Sequence, residues 1–335
     1  MSTTTNSVLL VASDEKSQRR VRPKMKNFGD RVFFGILRGA AIIPIAMMIL
    51  FIGVLIVGAW PAMKQFGFAF LYTSVWEPNS EVGEQFGALP FIYGTLFTSI
   101  MALCIAGPIG IGVAAFLNEV LSSRYRSIFA FLIEILATIP SIVYGIWAFF
   151  VLRVWVRDAI QPVVQHLFGR DFVLFRGPPM GLGLLSGTLI LAVMILPLIV
   201  SISLDALRMV PNSYREAALG LGATRWEMIR MAVLPPAKSG LIGACILALG
   251  RALGETMAIT MVIGNQPEIR WSLFQSATTI SAVIATKFTN AQADSEILLP
   301  TLTELALILF VLTLFVNIIA RMIIRRFAGE KAVLV

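Results

Sequence analysis

The sequence predicts an all-α polytopic membrane protein with six transmembrane helices. Three observations lead there. Of the 335 residues, 57% are apolar and only 14% are charged, against about 45–50% and about 25% in soluble domains. Mean hydropathy is +0.84. Six separate runs also approach the roughly 20 apolar residues a helix needs to cross a bilayer. A soluble enzyme is excluded, because such a chain cannot cover itself with polar surface.

Residues 1–30 are polar and basic. They lack the short apolar stretch and small-residue cleavage site of a secretory signal, so they read as a cytoplasmic tail. Residues 31–335 form the membrane domain. The first span lies near 39–59 and the second near 88–117, with an interruption expected at Gly107-Pro108. The third, 128–152, contains Glu134 and Pro140. The proline removes a backbone hydrogen bond, and Ser141 is placed to satisfy the freed carbonyl. The fourth span is 183–204. The fifth, 241–263, contains Arg251 and Glu255. The sixth, 297–320, carries Glu304 near its outer end.

Orientation follows from basic residues, which concentrate on the cytoplasmic side. The N-terminal segment through Arg38, loops 118–127 and 205–240 and the C-terminus hold 19 of the 27 Lys and Arg, and the opposite loops hold 7. Both termini are therefore expected inside. The net charge of +8 reports topology, not a nucleic-acid partner. Of the external loops, 60–87 carries Glu77, Glu81 and Glu84, and 153–182 carries Arg153, Arg157, Arg170 and Arg176. Cys104 and Cys245 lie in apolar runs, and the one histidine, His166, has no ligand cluster around it. No disulfide framework, metal site or cofactor is expected.

The internal loop 205–240 looks helical. Glu216-Ala217-Ala218 are helix-compatible, Gly222 allows a sharp turn, and Leu234-Pro235-Pro236 is expected to stop a second helix. The spacing is E-A-A, three residues, Gly222, then Leu234-Pro235. In this it resembles the inner-membrane permeases of binding-protein-dependent ABC importers, with Ala232 where that family usually has isoleucine. The resemblance implies a MetI-like fold. It also implies that Glu216, Ala217, Ala218, Gly222, Leu234 and Pro235 form a coupling element for an ATP-binding subunit dimer. The chain has no G-x-x-x-x-G-K-[ST] loop to cradle ATP phosphates. Hydrolysis is therefore expected in a separate subunit, and this chain is not expected to be an enzyme.

Arg251 and Glu255 are four residues apart, on one face of an expected helix. A charge at the bilayer centre costs roughly 3 kcal/mol or more, so such residues face a bundle interior or a water-filled path. A purely structural ion pair is one reading. The other is an anion path, in which a guanidinium binds an oxyanion with two hydrogen bonds and Glu255 tempers it. Thr256 adds a hydroxyl, and Gly250 and Gly254 permit a close helix approach. The run A-L-G-R-A-L-G-E-T-M-A with Gly264-Asn265, and the segment from Glu134 through Pro140-Ser141 to Tyr144-Gly145, resemble the phosphate-specific (PstC-like) permeases. That resemblance implies phosphate translocation by Arg251 and Glu255. Thr256 and Glu134 join them as candidates. For Glu134, a structural pairing with Arg126 or with backbone donors stands beside a transport role.

The partners so implied are a second, PstA-like permease, the ATPase dimer, an extracytoplasmic phosphate-binding protein, inorganic phosphate and the lipid of a bacterial inner membrane. Import of another oxyanion or small solute is a rival reading. An ATPase-independent channel or secondary transporter would explain the intramembrane charges but not the spaced E-A-A element. A third class is a non-transporting membrane scaffold or sensor subunit, which reconstituted transport would dismiss.

Overall fold

Long apolar runs must satisfy every backbone polar group within the bilayer, and helices do so locally. The structure, a computed structural model, describes residues 28–77, 84–169, 171–291 and 295–328. Within them the regular structure is helical, with isolated bridges at Glu77/Gln85 and Gly264/Ala277. Five helices are long and apolar enough to cross a membrane, or six if one sharply bent pair counts as a span. Arg170, Glu81 and the tail through residue 27 lie outside the described residues, whereas residues 28–30 are already helical.

Helix α1 is Phe28–Phe66. Residues 28–54 form a unit by themselves, and their large apolar side chains, Ile42 and Leu50 among them, are exposed. The second unit begins at Leu55. It contains the end of α1, the short α2 (Ala69–Tyr72) and α3 (Leu89–Glu119). Helix α3 runs unbroken through Pro108, contrary to the expected interruption. It packs along its length against α6 (Leu184–Arg208). At Gly110 the approach is so close that a Cβ would sit 2.7 Å from Ile199.

The third span is broken. α4 (Ser123–Thr138) and α5 (Ser141–Phe168) meet at 90°. Ile139 is extended, with ψ of 129°, because a residue before proline avoids the helical region. The freed carbonyl of Leu136 accepts a hydrogen bond from the Tyr144 hydroxyl at 2.7 Å. Tyr144, not the expected Ser141, answers the proline.

Beyond α6 come α7 (Asn212–Gly220) and α8 (Arg225–Leu253). The two are separated by Gly222 at φ +83°, a value natural only to glycine. The Thr224 and Glu227 side chains form a reciprocal capping box that starts α8. Pro235 and Pro236 do not end this helix, as the sequence suggested. A π-turn, Ile229–Val233, precedes them, and they occupy the first turn of the next α-segment, where a missing N–H leaves no bond unmade. The span itself then stops ten residues earlier than expected, at Leu253. α9 (Met257–Thr260), α10 (Ile280–Lys287) and α11 (Leu298–Ala328) complete the chain.

Among the described residues four apolar clusters hold the second unit. One packs Ala148, Leu152 and Val156 of α5 against Ile190 and Met194 of α6 and Ala258 of α9. Another joins α3, α6 and α8 through Ala102, Ala106, Leu191, Ile195, Ala248 and Ala252. A third lies under the 205–240 segment, with Leu117, Leu204, Leu207, Met228, Ile229 and Val233. The fourth, at the other end, packs Phe70, Phe86, Phe91, Ile280, Leu298 and Leu302, with Trp76 edge-on to Phe86 and Phe91.

Candidate functional site

Arg251 sits in the last turn of α8. Helical pairing with Glu255 does not occur. α8 ends at Leu253 with Gly254 as its C-cap, and Glu255 and Thr256 lie in a non-helical break. Glu255 Oε1 instead accepts from the Ala258 N–H at 3.2 Å, holding the start of α9. A side chain that competes for backbone donors favours a break over a continuous helix. Arg251 is exposed and, among the described residues, has no hydrogen bond or ion pair. It lies within electrostatic reach of Tyr144.

Three elements converge on the break. Gly145 of α5 lets α9 approach until a Cβ there would stand 3.0 Å from Ala258 Cα. The Ser281 hydroxyl at the start of α10 donates to the Glu255 carbonyl at 2.7 Å. Thr279 caps α10 and contacts Ser281 at 3.3 Å. The Ile280 N–H donates to Thr95 Oγ1 of α3 at 3.0 Å. Thr256 is turned to its own backbone: its hydroxyl donates to Gly254 at 3.3 Å and its carbonyl accepts from the Thr260 hydroxyl at 2.6 Å. Asn265, at φ +52°, donates through Nδ2 to the Thr260 carbonyl at 2.8 Å. The segment expected as an external loop thus folds back, and Thr278 and Thr279 are buried.

Glu134 departs from expectation. It is exposed on α4, not a buried acid, and among the described residues it forms no ion pair. Arg126, its suggested partner, caps the end of α3 by donating to the carbonyls of Leu117 at 3.0 Å and Asn118 at 2.6 Å.

The 205–240 segment is an apolar-tipped ledge. Leu221 is 90% exposed, and Met209, Trp226 and Met231 are exposed too. Glu216 and Ala217 are exposed on α7, Gly222 forms the bend, and Leu234 and Pro235 are half-buried below it. Sequence reasoning missed what fixes this ledge. Arg215, one residue before the E-A-A run, donates to the Glu119 carboxylate at 2.8 Å; their side chains are 16% and 4% exposed. It also donates to the carbonyls of Val210 at 2.6 Å and Leu207 at 3.1 Å. The hydrogen bond to Glu119 raises the Arg215 pKa, so its charge is secure. A basic residue flanking the motif was the available signal. Its partner, 96 positions away, was not.

On the opposite side, the segment expected as loop 153–182 is helical as far as Phe168, because α5 continues past residue 152, and the turn that follows is pinned against it. Arg153 donates to the Met180 carbonyl at 3.1 Å, Gln161 to Gly177 and Pro178 at 3.2 Å each, and Ser272 to the Arg176 carbonyl. A cavity of about 850 Å³ lies there, lined by Gln161, Gln165, His166 and Arg176. No group of three or more His, Cys, Asp or Glu suited to a metal occurs among the described residues.

Comparison with known proteins adds the family context. Residues 106–329 match the family described as "binding-protein-dependent transport system inner membrane component". The chain is 46% identical over 304 residues to the phosphate transport system permease protein PstC of Mesorhizobium japonicum, covering 89% of this chain and 90% of that protein. The corresponding protein of Haemophilus influenzae is 42% identical, covering 83% and 87%. A probable PstC of Methanocaldococcus jannaschii is 35% identical, covering 84% and 89%. Among solved structures, a bacterial ABC transporter involved in import of the acidic polysaccharide alginate superposes with a TM-score of 0.54. It is 20% identical and covers 88% of this chain and 99% of that one, a likeness of fold.

Proposed function

The chain belongs to the binding-protein-dependent transport inner-membrane components and, among them, to the PstC permeases, and from that premise we propose that it is one membrane subunit of an ATP-driven importer of inorganic phosphate. The observation that carries the mechanism is Arg251, an arginine in a membrane helix with an exposed guanidinium and no hydrogen bond or ion pair among the described residues. A charge so placed costs several kcal/mol unless something meets it. A surface shared with a homologous second permease, wet and open to an anion, meets that need.

Arg251 then serves as the binding group. Its planar fork takes two oxyanion oxygens at once. Glu255 sets the position of the break and so of the arginine. It also contributes negative charge nearby, which keeps the anion from being held too tightly to leave. Thr256 shapes the break through its backbone. Glu134, exposed on α4, has a role only if the second permease covers it. The ledge formed by Glu216, Ala217, Ala218, Gly222, Leu234 and Pro235 is the docking surface for a separate ATPase dimer. Its exposed Leu221 and Trp226 supply the apolar contact area that such an interface needs. An external binding protein delivers phosphate at the face carrying loop 153–182, and both termini lie in the cytoplasm.

The test is ATP-dependent phosphate uptake by proteoliposomes holding the whole complex. Arg251→Gln is expected to reduce uptake at least about 100-fold, the value of a charge-assisted pair of about 3 kcal/mol, with assembly intact. Undiminished uptake would refute the role of Arg251. Uptake that continues with a hydrolysis-dead ATPase would refute the importer reading as a whole.

A further inference from the structure

Glu304 is the buried acid that the transport reading leaves unused. It lies on α11, six residues after the helix begins, and is only 6% exposed. Its Oε2 has no hydrogen-bond partner. It borders a cavity of about 470 Å³ whose other walls include Phe68, Leu71, Ile92, Val311 and Phe315. No basic side chain lines this space. The charged form of a buried carboxyl without a partner is costly, and an opposite charge from outside the described residues relieves that cost.

The shape of the cavity says which. From Glu304 to Phe315 it follows α11 for about 16 Å at 1.5 Å per residue. One leaflet of a roughly 30 Å hydrocarbon core is about 15 Å deep. The 31 residues of α11 span about 46 Å; centred on that core, the helix extends about 8 Å beyond it at each end. Glu304, about 9 Å from the start, therefore stands at the boundary between headgroups and acyl chains. The walls open sideways, with Phe68 86%, Val311 55% and Phe315 60% exposed. The cavity thus offers a carboxylate at headgroup depth and an apolar channel one leaflet long beneath it.

We propose that this groove holds a membrane phospholipid with a primary-ammonium headgroup, its ammonium on Glu304 and one acyl chain along α11. The ammonium donates three hydrogen bonds and carries the opposite charge, which the free oxygen lacks. An anionic headgroup would place like charges together. The site is distinct from Arg251 and does not depend on what the complex transports.

The experiment uses the whole purified complex, delipidated in detergent. It is titrated with phosphatidylethanolamine or phosphatidylglycerol of identical chains and followed by native mass spectrometry. The wild type is expected to retain the ethanolamine lipid about tenfold more strongly, as one charge-assisted hydrogen bond predicts. Glu304→Gln should bring the two lipids within about twofold of one another, while still binding through the apolar walls. Val311→Trp, which fills the groove and leaves the carboxylate alone, should release both. Equal retention by the wild type, or an undiminished preference in Glu304→Gln, would overturn the proposal. So would a photoreactive group at position 311 that labels a peptide of a partner subunit instead of lipid.

Discussion

Arg215→Ala removes the clamp between the 205–240 ledge and the membrane helices. In the native protein the guanidinium reaches Glu119 at 2.8 Å and the carbonyls of Val210 and Leu207 at 2.6 and 3.1 Å. Both side chains are largely sheltered, at 16% and 4% exposure. Truncating the arginine leaves the Glu119 charge with only the Asn118 amide, at 2.7 Å, and takes a donor from the Leu207 and Val210 carbonyls at the end of α6. Removing one partner of a buried pair costs about 3–5 kcal/mol, more than a surface ion pair, at about 0–1 kcal/mol, could lose. Glu119→Ala should cost a similar amount. The double variant should recover about 2 kcal/mol of the sum, because neither charge is then left alone. Equilibrium unfolding in mixed micelles measures these values, and phosphate-stimulated ATPase activity of the complex reports whether the ledge still transmits. A coupling energy below about 0.5 kcal/mol, or an Arg215→Ala complex with wild-type stability and wild-type stimulation, would refute the assignment.

Gly94→Ala should lower the thermal midpoint of the detergent-solubilised complex, because a Cβ there would lie 2.0 Å from the Thr278 carbonyl oxygen and overpacking costs about 1–3 kcal/mol. Thr224→Ala removes half of the capping box and should destabilise by about 1 kcal/mol, with ATPase coupling lost before phosphate binding. Gly222→Val forces a branched side chain to φ +83°; it should abolish cross-linking between the ledge and the ATPase while this chain still inserts in the membrane. Tyr144→Phe removes the hydroxyl donor to the Leu136 carbonyl and should weaken uptake several-fold, whereas Ser141→Ala should not.

Much of this was legible in the sequence because bilayer physics writes itself in runs of about 20 apolar residues. The helices at Leu89–Glu119 and Leu184–Arg208 have ends near the expected 88–117 and 183–204, whereas the first runs well beyond 39–59, as Phe28–Phe66, and the fifth, expected at 241–263, is Arg225–Leu253. Prolines were harder. Pro108 was expected to interrupt α3 and does not, Pro140 does break its span, and Pro235-Pro236 begin a segment they were expected to end. The outcome depends on what the surroundings supply: close helix packing in the first case, a side-chain donor from Tyr144 in the second, a preceding π-turn in the third. Arg251 and Glu255 were singled out by charge in an apolar run, but their four-residue spacing suggested a pair that the break at Gly254 dissolves. The Ser281 and Thr279 contacts to that break, like the Arg215–Glu119 pair, join distant stretches of chain by ordinary residue types, and no local pattern marks them.

Because Pro235 and Pro236 do not end α8, the ledge residue Trp226 and the membrane arginine Arg251 belong to one helix, Arg225–Leu253. At 1.5 Å per residue they stand about 38 Å apart along a single strut. If the proposed ATPase subunit docks on the ledge, a movement there has a path to the guanidinium along the backbone of one helix, without a relay of side-chain contacts. The π-turn at Ile229–Val233 lies on that path, so five residues of irregular helix stand between the ledge tip and the arginine.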